Sequence, residues 1–361
     1  MKHTKLIALI LAMVTMLTSF SLLTACNGGK DTDGDESSTA SASLTESNAD
    51  DGSESETQPT ADKNLDVNIM VLNGTTGFGM AQLMDKNAKG DASLKYSFSV
   101  ESDASNITAA LLNGSADIAA LPTNAAANLF NKKADSLRVL AVNTLGVLYV
   151  MTAEGVEVTS MADLEGKTVY CPAQNPTFIF KAICDKNNIN VTIDNTYAQP
   201  ADLRAMLVSG QVDIAVLPEP MVTIAKTAAA KEGKTLNVAR DLTAEWDMVF
   251  TPGSLAQGCV VVRKAFADEH PAEVAAFLAE YEASINYVKE NPTEAGTMIQ
   301  EQNIFAQGPV AAMAIPNCNI CYMDGADMKD KLSAFYAILF EVAPASIGGA
   351  IPGDGLYYVA E

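Results

Sequence analysis

Histidine and tryptophan are nearly missing from this chain: its 361 residues include two histidines and one tryptophan. His3 sits at the very start, which leaves His270 alone in the rest. A Ser/His/Asp triad or a histidine-based metal centre is then hard to assemble, and no catalytic residue, metal ligand or cofactor site is assigned. Positive charge is scarce too, with 23 Lys and Arg against 44 Asp and Glu and a net charge of −21. No basic cluster occurs, which argues against a nucleic-acid partner. The arginines are Arg138, Arg204, Arg240 and Arg263. No Gly-Lys-Ser/Thr follows the Gly74-Thr75-Thr76-Gly77 turn, so it is not a phosphate loop.

What is present begins with a basic start, Lys2, His3 and Lys5, and an apolar stretch from Leu6 to Leu23. That is the layout of an export signal. Its 18 residues also approach the length of a membrane helix, about 20. Leu23-Thr24-Ala25-Cys26 favours the signal, because small residues before a cysteine resemble the bacterial lipobox. The resemblance implies cleavage after residue 25 and a lipid on Cys26; an uncleaved helix or a buried cysteine are the alternatives. Two or three acyl chains would hold the protein at a membrane where one would not. Residues 26–64 then form an acidic tether, with ten carboxylates from Asp31 to Asp62 and no basic residue between them. Such a stretch buries too little apolar surface to offset its ordering entropy.

The remaining cysteines are Cys171, Cys184, Cys259, Cys318 and Cys321. An odd, scattered set does not read as a disulfide framework. Cys318-Asn-Ile-Cys321 leaves three readings open: structural thiols, a local disulfide, or half of a zinc site.

An internal repeat organises the rest. Leu112-Asn-Gly-Ser-Ala-Asp117-Ile-Ala-Ala-Leu-Pro122 returns as Val208-Ser-Gly-Gln-Val-Asp213-Ile-Ala-Val-Leu-Pro218, at an offset of 96 residues. In each copy an amphipathic helix stops at glycine, a short buried strand follows, and proline closes it. Upstream, strands at 67–72 and 94–100 flank a turn at 73–77 and a helix at 78–88. Their counterparts are strands at 168–171 and 191–197, a loop at 172–176 and a helix at 177–186. Each unit reads β-loop-α-β-α-β, which predicts an α/β protein of two lobes with largely parallel sheets. The chain is expected to cross between lobes within 136–150 and again near 255–262, giving a paired hinge. Residues 271–288, 292–300 and 327–342 read as C-terminal helices. Asp117 and Asp213 imitate a catalytic pair, but their place after glycine turns favours strand entry. Trp246 is read as an aromatic wall for a ring or, more simply, as a core or lobe-surface anchor.

Met161-Ala-Asp-Leu-Glu-Gly-Lys-Thr168, the repeated Gly-x-x-Asp-Ile-Ala-x-Leu-Pro and Pro218-Glu219-Pro220 together resemble the NMT1/TauA-type solute-binding proteins, the NitT/TauT group. The resemblance covers residues 65–361. It implies a type II periplasmic-binding-protein fold and capture of a small solute for an ABC permease and ATPase. The expected organisation is a signal peptide at 1–25, the lipidated tether at 26–64, lobe one at 65–143, lobe two at 144–255, and a return to lobe one with C-terminal helices at 256–361. The protein is expected to work as a monomer on the outer face of a Gram-positive membrane.

Ligands in open α/β sheets bind beyond the carboxyl ends of strands, where unpaired helix N–H groups are offered. The candidate contacts there are Asn73, Thr75, Thr76, Gly77, Thr123 and Asn124 in lobe one. Lobe two offers Gln174, Asn175, Thr177 and Glu219. None of the arginines falls in these loops, so a neutral or weakly charged solute, heterocyclic or a small oxyanion, is expected. Two other functions remain open: a sensory or scaffolding lipoprotein of the same fold, and a thiamine-precursor-type enzyme.

Overall fold

A computed structural model describes residues 60–359. The signal segment, Cys26 and most of the acidic tether lie outside the described residues.

The first repeat unit forms β1 (Asp66–Leu72), α1 (Thr75–Phe78), α2 (Ala81–Lys89), β2 (Lys95–Glu101), α3 (Ala104–Asn113) and β3 (Ile118–Pro122). α4 (Thr123–Lys132) and β4 (Leu137–Thr144) complete this stretch, and β5 (Leu148–Thr152) opens the next. The second unit forms β6 (Thr168–Tyr170), α5 (Asn175–Lys186), β7 (Thr192–Asp194), α6 (Pro200–Ser209) and β8 (Ile214–Pro218). α7 (Met221–Lys231), β9 (Asn237–Asp241) and α8 (Leu242–Val249) follow it. The chain then runs through β10 (Gly258–Arg263), α9 (Lys264–Glu269), α10 (Pro271–Glu290), α11 (Pro292–Glu301), α12 (Gly308–Ala314), β11 (Ile320–Asp324) and α13 (Gly325–Val342). The repeat is visible in detail. α3 and α6 both stop at a left-handed glycine, Gly114 at φ 81° and Gly210 at φ 78°. Lacking a Cβ, glycine takes that conformation without strain. The strands that follow, β3 and β8, are both buried along almost their whole length.

Two sheets result, ordered β11-β4-β10-β3-β1-β2 and β7-β6-β8-β5-β9. Within each repeat the pairings β1–β2, β1–β3, β6–β7 and β6–β8 are parallel, as helical crossovers require. The expectation of largely parallel sheets fails beyond them. β10 runs antiparallel to β3 and β4, β11 to β4, and β5 to β8 and β9. The reason is the crossing itself. For β5 and β10, the repeat strands all point their carboxyl ends at the other lobe, so a strand arriving from that lobe must run away from it; β11 instead follows α12 within the first lobe and adds antiparallel at the edge. The chain leaves the first sheet after Thr144, returns to it at Gly258, and has the second sheet between.

Apolar burial is continuous across the two sheets on one side. Val139 and Val261 of the first sheet, Val150 and Val169 of the second, Phe180 of α5 and Phe335 of α13 belong to one buried cluster. Trp246 of α8 is fully buried in it, 4.3 Å from Phe250 and 5.6 Å from Phe335 between ring centres, and donates its indole N–H to Ser254 Oγ at 2.9 Å. Trp246 is therefore an anchor rather than a ligand wall. A second cluster sets Val274, Phe277, Tyr281, Ile285 and Val288 of α10 against α2 and the other face of the first sheet. All five cysteines among the described residues are free thiols. Cys318 points at the Ala314 carbonyl and Cys321 at that of Val142. Burial pushes the Cys321 thiol up to about 12.

Candidate functional site

The ends of β1, β3, β6 and β8 carry the four loops expected to receive a solute, and the structure treats their residues very differently. Gly77 is buried beneath its loop. A Cβ there would lie 2.5 Å from the Leu72 carbonyl oxygen, so glycine is needed for the close approach. Asn73 is exposed, and Thr75 and Thr76 are half-buried. Neither threonine hydroxyl has a hydrogen-bond partner among the described residues. The turn expected across 73–77 gives way to the short helix α1 from Thr75. Behind it, Asn143 donates to the Thr76 carbonyl at 3.2 Å and to the Tyr281 hydroxyl at 2.9 Å.

Thr123 leaves the set of candidate contacts. It is fully buried, and its hydroxyl donates to the Ala256 carbonyl at 2.7 Å while its own carbonyl accepts from Tyr336 at 2.9 Å. Thr123 thus ties the start of α4 to the returning segment before β10. Thr177 is engaged in the same inward way. Its hydroxyl donates to Pro172 at 2.8 Å and accepts from Asn195 at 2.7 Å, which fixes the loop before α5. Threonine at a helix start serves local bonds well, and that use prevails here.

Asn124 and Asn175 are brought together. The Asn175 amide donates to Asn124 Oδ1 at 2.8 Å, joining the first turns of α4 and α5 across the two lobes. Asn175 Oδ1 is left buried with no donor. Gln174, just before it, is exposed and held at a positive φ of 66°. Gln174 and Asn124 both line a cavity of about 810 Å³, along with residues of α3 and α4.

Glu219 meets the first lobe elsewhere. It is 3 % exposed, accepting from the Thr223 hydroxyl at 3.0 Å and the Thr223 backbone N–H at 3.1 Å. Burial raises its carboxyl above the ordinary value, opposed by the bonds from Thr223 and one from Asn317. Tyr149 of β5 donates to the Asn317 carbonyl at 2.8 Å beside it. The arginines stand apart: Arg138 pairs with Asp135, Arg240 with Glu245, and Arg263 with Asp117. Asp117 also accepts from the Asn68 backbone at 3.0 Å and side chain at 3.1 Å, a strand-entry role.

Sequence reasoning missed Tyr149 and Asn317, which carry no local signal. It also missed the cavity walls on α3 and α5. Leu112 remains 43 % exposed at the end of α3, which its place in the repeat did not reveal.

A family model described as NMT1/THI5 like matches residues 90–295. Comparison with curated protein sequences finds no match. Solved structures resemble the chain over most of its length. An ABC transporter from Parabacteroides distasonis is 22% identical, with a TM-score of 0.71 over 83% of this chain and 100% of that one. The periplasmic aliphatic sulphonate binding protein SsuA from Escherichia coli is 17% identical, with a TM-score of 0.64 over 81% and 92%. The alkanesulfonate-binding protein SsuA from Xanthomonas axonopodis pv. citri, bound to MOPS, is 13% identical, with a TM-score of 0.58 over 83% and 100%. At these identities the likeness establishes the fold, that of the periplasmic binding proteins.

Proposed function

This chain belongs to the NMT1/THI5-like family, and from that membership we propose that it is an extracytoplasmic solute-binding lipoprotein, capturing a small molecule between its lobes for an ABC importer. The observation that carries the reading is the meeting of Asn124 and Asn175. Polar groups at the first turns of two helices, one from each lobe, converge where a solute would bridge them. In this reading residues 65–143 and 256–361 move as one lobe and 144–255 as the other, about the two crossing segments. A solute that contacts both lobes favours the closed arrangement by its differential affinity for it.

Several features support binding rather than catalysis. The one histidine among the described residues, His270, packs against Phe266 at the junction of α9 and α10, beside Glu273 at 3.9 Å. The solved structures it resembles are named as an ABC transporter and a periplasmic binding protein. No helix among the described residues is long and apolar enough to cross a membrane; attachment through Cys26 is part of this proposal and lies outside the described residues. The sulfonate specificity of the two SsuA proteins does not transfer readily. A strongly anionic ligand recruits a bidentate arginine, yet three of the four arginines here are already paired and the loops offer a buried carboxylate instead.

A thermal-shift screen of neutral heterocycles, sugars, sulfonates and nitrate tests the assignment, because a ligand specific to the folded state raises Tm. A neutral or weakly charged compound should raise it by several degrees, and small-angle scattering should then report a more compact protein. Tight binding confined to sulfonates or nitrate would overturn the ligand class; no shift with any transported solute would overturn capture itself. For the anchor, Cys26→Ser should abolish incorporation of labelled fatty acid and release the protein from membranes. Retention of label in that variant would refute lipidation at Cys26.

A further inference from the structure

The cavity beside Asn124 and Gln174 is larger than a small oxyanion needs. Its volume of about 810 Å³ lies within the range of sites that bury a drug-sized molecule, about 300–1,000 Å³. Three helices build it by the same device. Residues four apart on a helix share a face, and Ala104, Thr108 and Leu112 line one wall from α3. Ala125 and Leu129 line another from α4, and Phe178 stands one turn after Gln174 on α5. The segment after α13, around Pro344, closes the remaining side. The walls thus come from both lobes, since α5 follows the second sheet's β6 while α3 and α4 flank the first sheet's β3.

The lining is chemically one-sided. Lys132, exposed on the last turn of α4, is the only charged residue in it; the remaining polar members are neutral hydroxyls and amides such as Ser105, Asn128 and Gln174. Leu112 stays 43 % exposed and Phe178 half-buried, so the fold's own packing does not cover them. Of the amides in the lining, Gln174 is exposed, and its side chain makes no hydrogen bond among the described residues. Its amide oxygen is free to accept from a solute N–H or O–H.

We propose that the solute site extends out of the interlobe loops into this cavity, and that the solute is an uncharged, ring-sized molecule. Its hydrogen-bond donor pairs with the Gln174 side-chain amide, and its apolar body lies against Leu112, Leu129 and Phe178. The proposal rests on the solute-binding reading and narrows it to a chemical class. Because Phe178 moves with the second lobe and Leu129 with the first, such a body is gripped only when the lobes are together, which ties size selection to closure.

Indole, neutral and carrying one ring N–H, is a suitable probe, with taurine as the small charged comparison. The full chain in lipid nanodiscs is titrated calorimetrically against empty nanodiscs. Indole should bind and taurine should not. Ala125→Trp, which fills the cavity, and Leu112→Asp, which sets a carboxylate on its wall, should each weaken indole at least tenfold with Tm unchanged. Leu112 is partly exposed, so Leu112→Asp remains decisive if the tryptophan variant unfolds. Unaltered indole affinity in folded Leu112→Asp, or no indole binding by the wild type, overturns the proposal. Failure of the capture reading looks different: no compound of any class then shifts the Tm of the wild type.

Discussion

The two copies of the repeated segment share a backbone course and part company in their surroundings. In the first, Asp117 is buried and accepts from Asn68 and from Arg263, the latter at 2.7 Å. In the second, Asp213 is exposed, and only its backbone carbonyl is engaged, by the N–H of Ala153. The residue after the closing proline differs as well. Thr123 is locked to the Ala256 carbonyl, whereas Glu219 is a buried carboxylate held at the contact with Asn317. One copy stitches the first sheet to the strand that returns from the other lobe; the other places a titratable group at the seam. A shared local pattern therefore sets helix stop, strand and turn, and leaves the use of each polar side chain to what packs against it.

The largest test of this contrast is the pair of aspartates. Asp117→Ala removes the acceptor of Arg263 and of the Asn68 N–H, and should cost about 3 kcal/mol in denaturant unfolding. Asp213→Ala, at the equivalent position, should stay within about 0.5 kcal/mol of the wild type. Equal losses at the two sites would show that the repeat positions are equivalent after all.

A smaller effect concerns Glu219. Burial, the first cause of its shift, raises its carboxyl above the ordinary value of 4.5. The folded chain then holds this proton more tightly than the unfolded chain does. The associated stability is fully present below the unfolded value and is lost as pH rises through the folded one. Compared with Glu219→Gln, the wild type should thus fare best below the ordinary carboxyl value and progressively worse as pH rises above it. Unfolding curves on either side of that value check it, and a gap between the two proteins that is constant with pH would remove Glu219 from the account.

Much of the architecture was legible beforehand, and the reason is that it is local. The helix before each repeated glycine, the buried Asp-Ile-Ala-x-Leu strand and the amphipathic α10 follow from spacing within a dozen residues. The crossing at Thr144–Leu148 was legible from two apolar runs split by Asn143-Thr-Leu-Gly146. Sheet direction was misjudged for β5 and β10, which enter from the other lobe, and for β11, since nothing in a strand's own residues records which way the chain arrives. At the site, Asn124, Gln174 and Asn175 were identified from their place at helix starts, and the structure sets Asn124 against Asn175. Thr123 and Thr177 occupy similar places, but their hydroxyls turn inward.

What the sequence by itself determined is the repeat, the two-lobed α/β order and the poverty of histidine and arginine, each a property of residue types and short spacings. Only the tertiary structure decided which polar groups remain free. The partners that engage Asp117 and Thr123 come from Arg263 and Ala256, 146 and 133 residues along the chain. The wall that closes the cavity comes from the segment after α13. Such pairings depend on how distant segments pack, and a one-dimensional pattern carries no measure of that distance.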